Sequence, residues 1–454
     1  MLERLRRILG DEGVRAGNAT ARWTVHGMRP SVVAFPRTVD EAAAVLALAS
    51  REGWTVEPAG AGTWLDAGRP AERVDIVLAT SRLLVATAHE PADLVATVGG
   101  GTALQALQSE LARRGQWLPL DPPADAAATV GAVLAQASAG PLREAHGTPR
   151  DHVLGLGLVT GDGRILELGG RVVKNVAGYD LVKLVIGSRG TVGLITHAHV
   201  RLRSIPARDE TLAFTAREAE PLLALLARLR AERLEAAALE LVQGVDAVPE
   251  APAGGGWSLL VRLQGGEETV DDAAERARRW GAAESLEARP LGAEAAGLWA
   301  HLAALEADAT LSVRLADAPS RLGELLAWAG RLSGAGRGAI VVAHAGVGIV
   351  RVLGGADEDV ECWAAVLSEA RTALAERRGT VTVANARGAA VRAGAQDGAA
   401  DAEAGTAPDR TGAPAALLER LDPFGDPGPA LRLMKALKSQ FDPAGILSPG
   451  RFVV

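Results

Sequence analysis

The sequence predicts an α+β protein of more than one domain, and three observations lead there. The chain has 454 residues, more than one ordinary hydrophobic core holds. Up to Pro206, short apolar runs alternate with glycine-rich turns, most densely between Pro119 and Thr196. Beyond Pro206 the pattern changes to longer rounds of strand and helix, as in an antiparallel sheet covered on one side.

Composition narrows the class. A formal net charge of −7 argues against a general nucleic-acid binder, which carries a basic face. Cys362 is the only cysteine, so there is no intramolecular disulfide, cysteine zinc cluster or cysteine-ligated iron–sulfur cluster. That usage fits a reducing cytoplasm. Met1–Gly10 lacks the apolar core of a signal peptide, and no uninterrupted apolar stretch is long enough to span a bilayer. No direct membrane insertion is expected; any membrane contact comes through a partner.

Residues 1–27 read as a short amphipathic helix and a polar lead-in, followed by a strand within Pro30–Pro36. Thr38 and Glu41 form a capping box for a helix over Val39–Glu52, stopped by Gly53. Trp54–Glu57 is a strand entering the loop Pro58–Trp64. This loop fits neither common phosphate fingerprint: Leu65 stands where a dinucleotide motif needs its third glycine, and no lysine follows as in a triphosphate loop. Gly60 and Gly62 still offer amides to a pyrophosphate, or simply make a tight turn. Val74–Leu78 and Leu94–Val98 are strands. Gly99–Thr102 reads as a turn with Thr102 as N-cap of a helix over Ala103–Arg114. Gln116–Leu120 is extended, Thr129–Ala137 helical, and Val153–Thr160 with Arg164–Leu168 a hairpin about Gly161–Gly163. Leu181–Ile186 is a helix or buried strand, and Leu194–Leu202 a strand.

After Pro206 the pattern gives helix Glu218–Glu235, strands Ala238–Val242 and Trp257–Gln264, and helix Glu267–Trp280. Strand Leu311–Leu315, helix Ser320–Leu332, strands Ala339–His344 and Val347–Leu353 and helix Asp357–Arg377 follow. Residues 386–429, rich in Ala, Gly, Asp and Pro, read mostly as a mobile loop. A last helix over Ala430–Ser439 leads to the ending Phe441–Arg451.

Four blocks, in this order, resemble the FAD-linked oxidases of the vanillyl-alcohol-oxidase type: Pro58–Thr63, Ala128–Ala135, Gly147–Asp151 and Gly187–Thr196. The resemblance implies a two-subdomain PCMH-type FAD-binding domain over 28–206 and a smaller α+β antiparallel-sheet cap domain over 207–385. The C-terminal helix and tail, 430–454, would return to the FAD domain. Pro58, Ala59, Gly60, Ala61, Gly62, Thr63 and Trp64 would hold the FAD pyrophosphate through backbone amides. Pro122, Thr129, Val130, Gly131 and Gly140 would line the ribityl and isoalloxazine region, and Gly147 and Asp151 would shape the wall. Gly190, Thr191, Val192, Gly193 and Ile195 would pack on the adenine and its ribose. The first glycine loop has no histidine or cysteine, so the flavin is expected to be non-covalent. Val173–Asp180 and Phe441–Arg451 are similar to the FAD-binding subunit type of bacterial glycolate oxidase. That likeness implies a larger flavin subunit and an iron–sulfur subunit as partners, and a small 2-hydroxy acid as substrate. Within the first of these motifs, Lys174, Asn175, Tyr179 and Asp180 stand out, with Tyr179 either functional or a buried, satisfied tyrosine.

Oxidising a 2-hydroxy acid on a flavin requires a cation for the carboxylate and a base for the hydroxyl proton. Related dehydrogenases carry His-x-Gly-Asp-Gly-x-x-His in the second domain as a metal site; this chain has His344-Ala-Gly-Val-Gly-Ile-Val-Arg351 at a comparable place. One imidazole beside an arginine makes a poor divalent site, and no metal is expected. Arg351 as carboxylate anchor and His344 as base form one reading. A satisfied sheet histidine with a surface arginine is the other. His197 and His199 share one face of a strand, a spacing that serves chelation or simple alternation. Three functions stay open: an FAD-binding subunit of a glycolate oxidase complex, a self-sufficient dehydrogenase, and a non-catalytic assembly subunit.

Overall fold

In the computed structural model, the described residues are 1–83, 85, 87–124, 126–171, 179–249, 251, 255–334, 339–354, 359–386 and 413–454. Lys174 and Asn175 therefore lie outside the described residues, as does 387–412 of the low-complexity stretch.

The helix Val39–Glu52 shows why the first layer forms. Thr38 Oγ1 accepts the Glu41 amide at 3.1 Å, and Gly53 ends the helix at φ 65°. Glu41 reaches back one residue further than a capping box requires, accepting the Arg37 amide at 2.6 Å. Its stripe of Val45, Leu46, Leu48 and Ala49 is buried. It connects Val32–Ala34 to Val56–Ala59, and each of these strands pairs in parallel with Ile76–Ala79. With Val14–Ala16 they make a four-stranded sheet.

A five-stranded antiparallel sheet follows, in the spatial order Ala88–Glu90, Val95–Gly99, Leu194–Arg201, Val153–Val159, Ile165–Gly169. The helices Leu104–Ala112 and Val130–Gln136 pack their apolar residues on it. Thr129 caps the second helix through the Ala132 amide. Thr102, expected as N-cap of the first, does not serve: the cap is Ala103. The three glycines before it allow a close backbone approach, since a Cβ at Gly101 would run into the Thr80 carbonyl.

Beyond Pro206 lies one eight-stranded antiparallel sheet, starting at Ala288–Leu291 on one edge and ending at Thr380–Ala386 on the other. Helices Glu220–Ala231, Glu267–Ala283, Leu322–Gly334 and Val360–Ala375 cover one face, with Phe214 and Trp363 in the core. The opposite face is not bare, as the sequence pattern implied. Helix Glu294–Asp308 packs Leu298 and Leu302 there against Val242, Leu260 and Val342. Residues 413–420 are helical, which corrects the mobile-loop reading for that part.

The C-terminal tail returns to the first layer. The Val56 amide donates to Ile446 at 2.8 Å and the Ser448 amide to Val56 at 2.9 Å. Arg451 is buried there, with Nη1 2.7 Å from Glu57 and Nη2 donating at 2.6 Å to both Leu65 and Ala67. Removing one member of a buried pair leaves the other charge uncompensated. We expect Arg451→Ala to lower stability by about 3–5 kcal/mol, read as an earlier midpoint in urea unfolding.

Candidate cofactor-binding site

The parallel strands Val56–Ala59 and Ile76–Ala79 end side by side, and a cleft opens beyond their carboxyl ends, where α/β sheets bind ligands. Thr80 Oγ1 ties this edge together by donating to the Ala59 carbonyl at 3.2 Å. The space between its walls is about 590 Å³, part of it open solvent.

Its walls come from three segments distant in sequence. The first is Glu57–Leu65; the second is one side of the helix Val130–Gln136; the third is Arg189–Ile195. Two glycines are forced by close approach. A Cβ at Gly60 would collide with Thr129 Oγ1, and one at Gly190, where φ is +77°, would stand 3.2 Å from Pro58.

Of the residues singled out from sequence, Pro58, Ala59, Gly60, Gly62, Thr63, Trp64, Gly131, Gly190, Gly193 and Ile195 line this cleft. Thr129 and Val130 lie buried just behind it, as do Thr191 and Val192. Ala61 belongs to the loop without lining the cleft. Pro122, Gly140, Gly147 and Asp151 stand outside its lining. Gly140 donates to the Asp121 carboxylate at 3.1 Å. Asp151 closes a capping box on Thr148, whose amide bond holds its carboxyl below the usual range. Tyr179 is 94% exposed, which removes the reading of a buried, satisfied tyrosine. Asp180 pairs with Lys183 at 3.1 Å.

Arg189, in the cleft wall, escaped sequence reasoning because inside Gly-Ser-Arg-Gly it reads as turn filler. Its guanidinium stacks 4.9 Å from the ring of Phe424 and 5.7 Å from that of Phe452. Its Nη1 is buried with no hydrogen-bond partner among the described residues. Burial, then the nearby Arg451, brings its pKa down to about 10, so it stays charged at neutral pH. An unpaired cation in a glycine-walled cleft suits a flat, anionic ligand.

The comparisons give that ligand a chemical class. Residues 30–169 match the family described as FAD binding domain. This stretch is an FAD-binding domain. The chain is 34% identical over 218 residues to D-2-hydroxyglutarate dehydrogenase of Xanthomonas citri pv. viticola, covering 48% of this chain and 46% of that one. It is 33% identical over 183 residues to glycolate oxidase subunit GlcD of Bacillus subtilis, covering 40% and 39%. With glycolate oxidase subunit GlcE of Escherichia coli it shares 41% over 125 residues, covering 27% and 36%. Each alignment spans less than half of the relative's length. A solved alkyldihydroxyacetonephosphate synthase shares the fold, with a TM-score of 0.69 at 13% identity over 99% of this chain and 84% of that one. Among the described residues no helix is long and apolar enough to cross a membrane.

The lining residues suit FAD: the orphaned Nη1 of Arg189 is a donor available to an anionic group, and the glycines allow close approach of a ligand to the backbone. Arg189→Met keeps an apolar side chain of similar reach but removes the buried, partly unsatisfied charge along with its stacking on the two phenylalanines. It should raise the FAD dissociation constant about 10–100-fold, the worth of a hydrogen bond to a charged group. Flavin-fluorescence titration checks this, and the melting temperature of the FAD-free protein should not drop.

The structure also brings His344 and Arg351 together, and it closes both. His344, 2% exposed, has Nδ1 at 2.8 Å and 2.9 Å from the two Glu240 oxygens, directly across the strand pair. Its Nε2 lies 3.8 Å from Glu306, and Arg351 Nε approaches the same carboxylate at 2.8 Å. Burial first, and then Arg351, pushes the imidazole well below its usual pKa. Burial first, and then Glu306, pushes Glu240 well above its own. Arg351, read as a surface residue in one of the two sequence readings, is therefore an inward one.

This cluster sits at the seam with the FAD-binding side. Glu144 crosses it to accept the Leu239 amide at 2.9 Å, and a Cβ at Gly346 would collide with its carboxylate. That contact explains one of the glycines following His344. Burial holds the Glu144 carboxyl up at about 7. The folded protein therefore keeps a proton that the unfolded chain releases near pH ~4.3, and this contribution to stability is lost as pH rises through about 7. Glu144→Gln keeps an acceptor for Leu239 without the ionisation. Its stability relative to the natural chain should improve from pH 5 to about pH 7 and then level off, as measured by thermal melts from pH 5 to pH 8.

Proposed function

We propose that the chain is the FAD-binding subunit of a complex that oxidises glycolate, or a close 2-hydroxy acid, with the substrate site on a larger flavin subunit. Glycolate loses two electrons and two protons to become glyoxylate, and an iron–sulfur subunit carries the electrons onward. The observation that carries this reading is the closed state of the cap-sheet cluster. A substrate anchor must offer its cation and a base must offer a lone pair to the substrate. Here Glu306 engages Arg351, and Glu240 engages His344, at burial that excludes a ligand. The likeness to glycolate oxidase subunits supports the complex.

In this reading Pro58–Trp64 with Arg189 hold the pyrophosphate, Gly190, Gly193 and Ile195 receive the adenosine end, and Gly131 backs the ribityl chain. When bound, FAD supplies two-electron redox chemistry. The chain's own residues would hold it non-covalently and keep His344 and Arg351 away from bulk solvent.

A second reading, a self-sufficient dehydrogenase, draws on the buried Nε2 of His344, which has no hydrogen-bond partner among the described residues. One experiment separates the two. The chain purified alone and loaded with FAD should be yellow and should not reduce a dye with glycolate. Co-expressed with its larger flavin and iron–sulfur partners, it should co-purify with them and activity should appear. Glycolate-driven dye reduction by the chain alone, lost in His344→Ala, would establish the second reading. A colourless preparation that stays colourless with added FAD would sink both.

A further inference from the structure

We propose that Glu167, His197 and His199 form a divalent-metal site of the zinc type on the five-stranded sheet, separate from the FAD cleft. One ligand atom from each of the three lies within 4.8 Å of the others. The register produces this convergence. His197 stands opposite Gly157, and Gly157 stands opposite Glu167 on the next strand. A Cβ at Gly157 would occupy the His197 ring, so the missing side chain is what lets the imidazole lie across the middle strand. His197 Nε2 thereby reaches the Glu167 carboxylate at 3.1 Å. His199, two residues on along the same strand, places its ring centroid 5.4 Å from that of His197.

The outer contacts supply an independent argument. A metal-binding imidazole presents one nitrogen to the ion and donates the other N–H to a fixed acceptor, which sets tautomer and ring orientation. Both rings here have that arrangement. Thr196 Oγ1 lies 3.2 Å from Nδ1 of His197, and Thr97 Oγ1 lies 2.9 Å from Nδ1 of His199. In the metal-bound tautomer each Nδ1–H would go to its threonine hydroxyl and each Nε2 to the ion; without the ion, His197 Nε2–H donates to the Glu167 carboxylate, a proton that metal binding displaces. Simple strand alternation explains two histidines on one face, but not matched hydroxyl partners, a glycine beneath one ring and a carboxylate beyond it.

Two imidazoles and one carboxylate are borderline ligands that suit Zn²⁺ or Co²⁺ better than Mg²⁺ or Ca²⁺, which take mainly oxygen. The Glu167 side chain is 62% exposed, which leaves a fourth position to water.

The test uses the full chain, FAD-loaded and free of any histidine tag, titrated with Zn²⁺ by calorimetry and with Co²⁺ by visible absorption. The expected result is one ion per chain, with a cobalt spectrum of tetrahedral character. His197→Ala and His199→Ala should each weaken binding more than tenfold. Thr97→Val should weaken it about tenfold or somewhat more, as removal of an outer-contact partner does. Gly157→Val, which displaces the His197 ring, should behave like His197→Ala. The flavin content should stay unchanged in all four, which separates loss of the metal site from misfolding. Zinc affinity and stoichiometry that persist in a His197→Ala/His199→Ala double variant would overturn the proposal. So would a Mg²⁺ affinity equal to that for Zn²⁺, or no zinc binding by the unmutated chain.

Discussion

The cofactor cleft depends on a set of buried charges carried by the last turns of the chain. Its two outer walls, the Glu57–Leu65 loop and the Arg189–Ile195 segment, present backbone carbonyls to the interior, and those carbonyls need donors. Arg451 serves Leu65, Ala67 and, at 3.3 Å, Arg69. Lys438 serves Thr191 and Leu447 at 2.7 Å each, with Asp442 as counter-ion at 2.7 Å. Asp442 in turn accepts the Ile446 and Leu447 amides. Arginine and lysine are the side chains with enough N–H groups to satisfy several carbonyls at once. Loop closure over nearly the whole chain adds little beyond a shorter one, because its entropy grows only with the logarithm of length. The tail thus fixes the cleft, although it lies far from it in sequence.

A second set of buried charges joins the cleft side to the cap sheet, and it works differently. Here four carboxyl groups (Asp121, Glu144, Glu240 and Glu306) lie near Arg143, Arg351 and His344, largely withdrawn from solvent. Burial drives the carboxyls toward their neutral forms, so part of the attraction that full charges would supply is replaced by hydrogen bonds such as Glu144 to Leu239. Polar complementarity of this kind fixes one relative placement of two sheets, because a slip would strand buried polar groups. In the proposed function, the same closure withdraws His344 and Arg351 from substrate chemistry and leaves that chemistry to a partner.

Much of the fold is legible in the chain itself. Thr38, Glu41 and Gly53 bracket their helix to the residue, and the Val153–Val159 and Ile165–Gly169 hairpin follows from its glycine turn. Ten of the residues chosen for the cofactor do line the cleft, because glycines forced by close approach leave a sequence signature. What escaped has a common cause. The strand Arg208–Ala216 begins with charged residues that form ion pairs, Arg208 with Glu210 along the strand and Asp209 with Arg262 on the next, so its period-2 pattern is hidden at one end. Helix Glu294–Asp308 is alanine-rich and only weakly amphipathic, since it is buried along part of one face alone. Arg189, Glu306 and Glu144 carry their roles through contacts between distant segments, and no local spacing records such contacts.

The histidines of this protein show how strongly surroundings decide the chemistry of one residue type. At His344 the direct partners are the Glu240 and Glu306 carboxylates, with Arg351 held on the second of them; Arg351, Arg143 and Arg314 all depress its pKa after burial does, and these cations would repel a divalent ion. At His197 and His199 the nearest polar partners are a carboxylate and two hydroxyls. The first setting traps a neutral ring between two glutamates in a closed seam. The second orients two rings outward at Nε2 beside an exposed carboxylate. The motif around His344 resembles a known metal motif but lacks its aspartate and its second histidine, which is why it reads as a poor divalent site. In the proposed site at His197 and His199 it is the side chain opposite each ring, and not a motif around it, that would bring the ligands together.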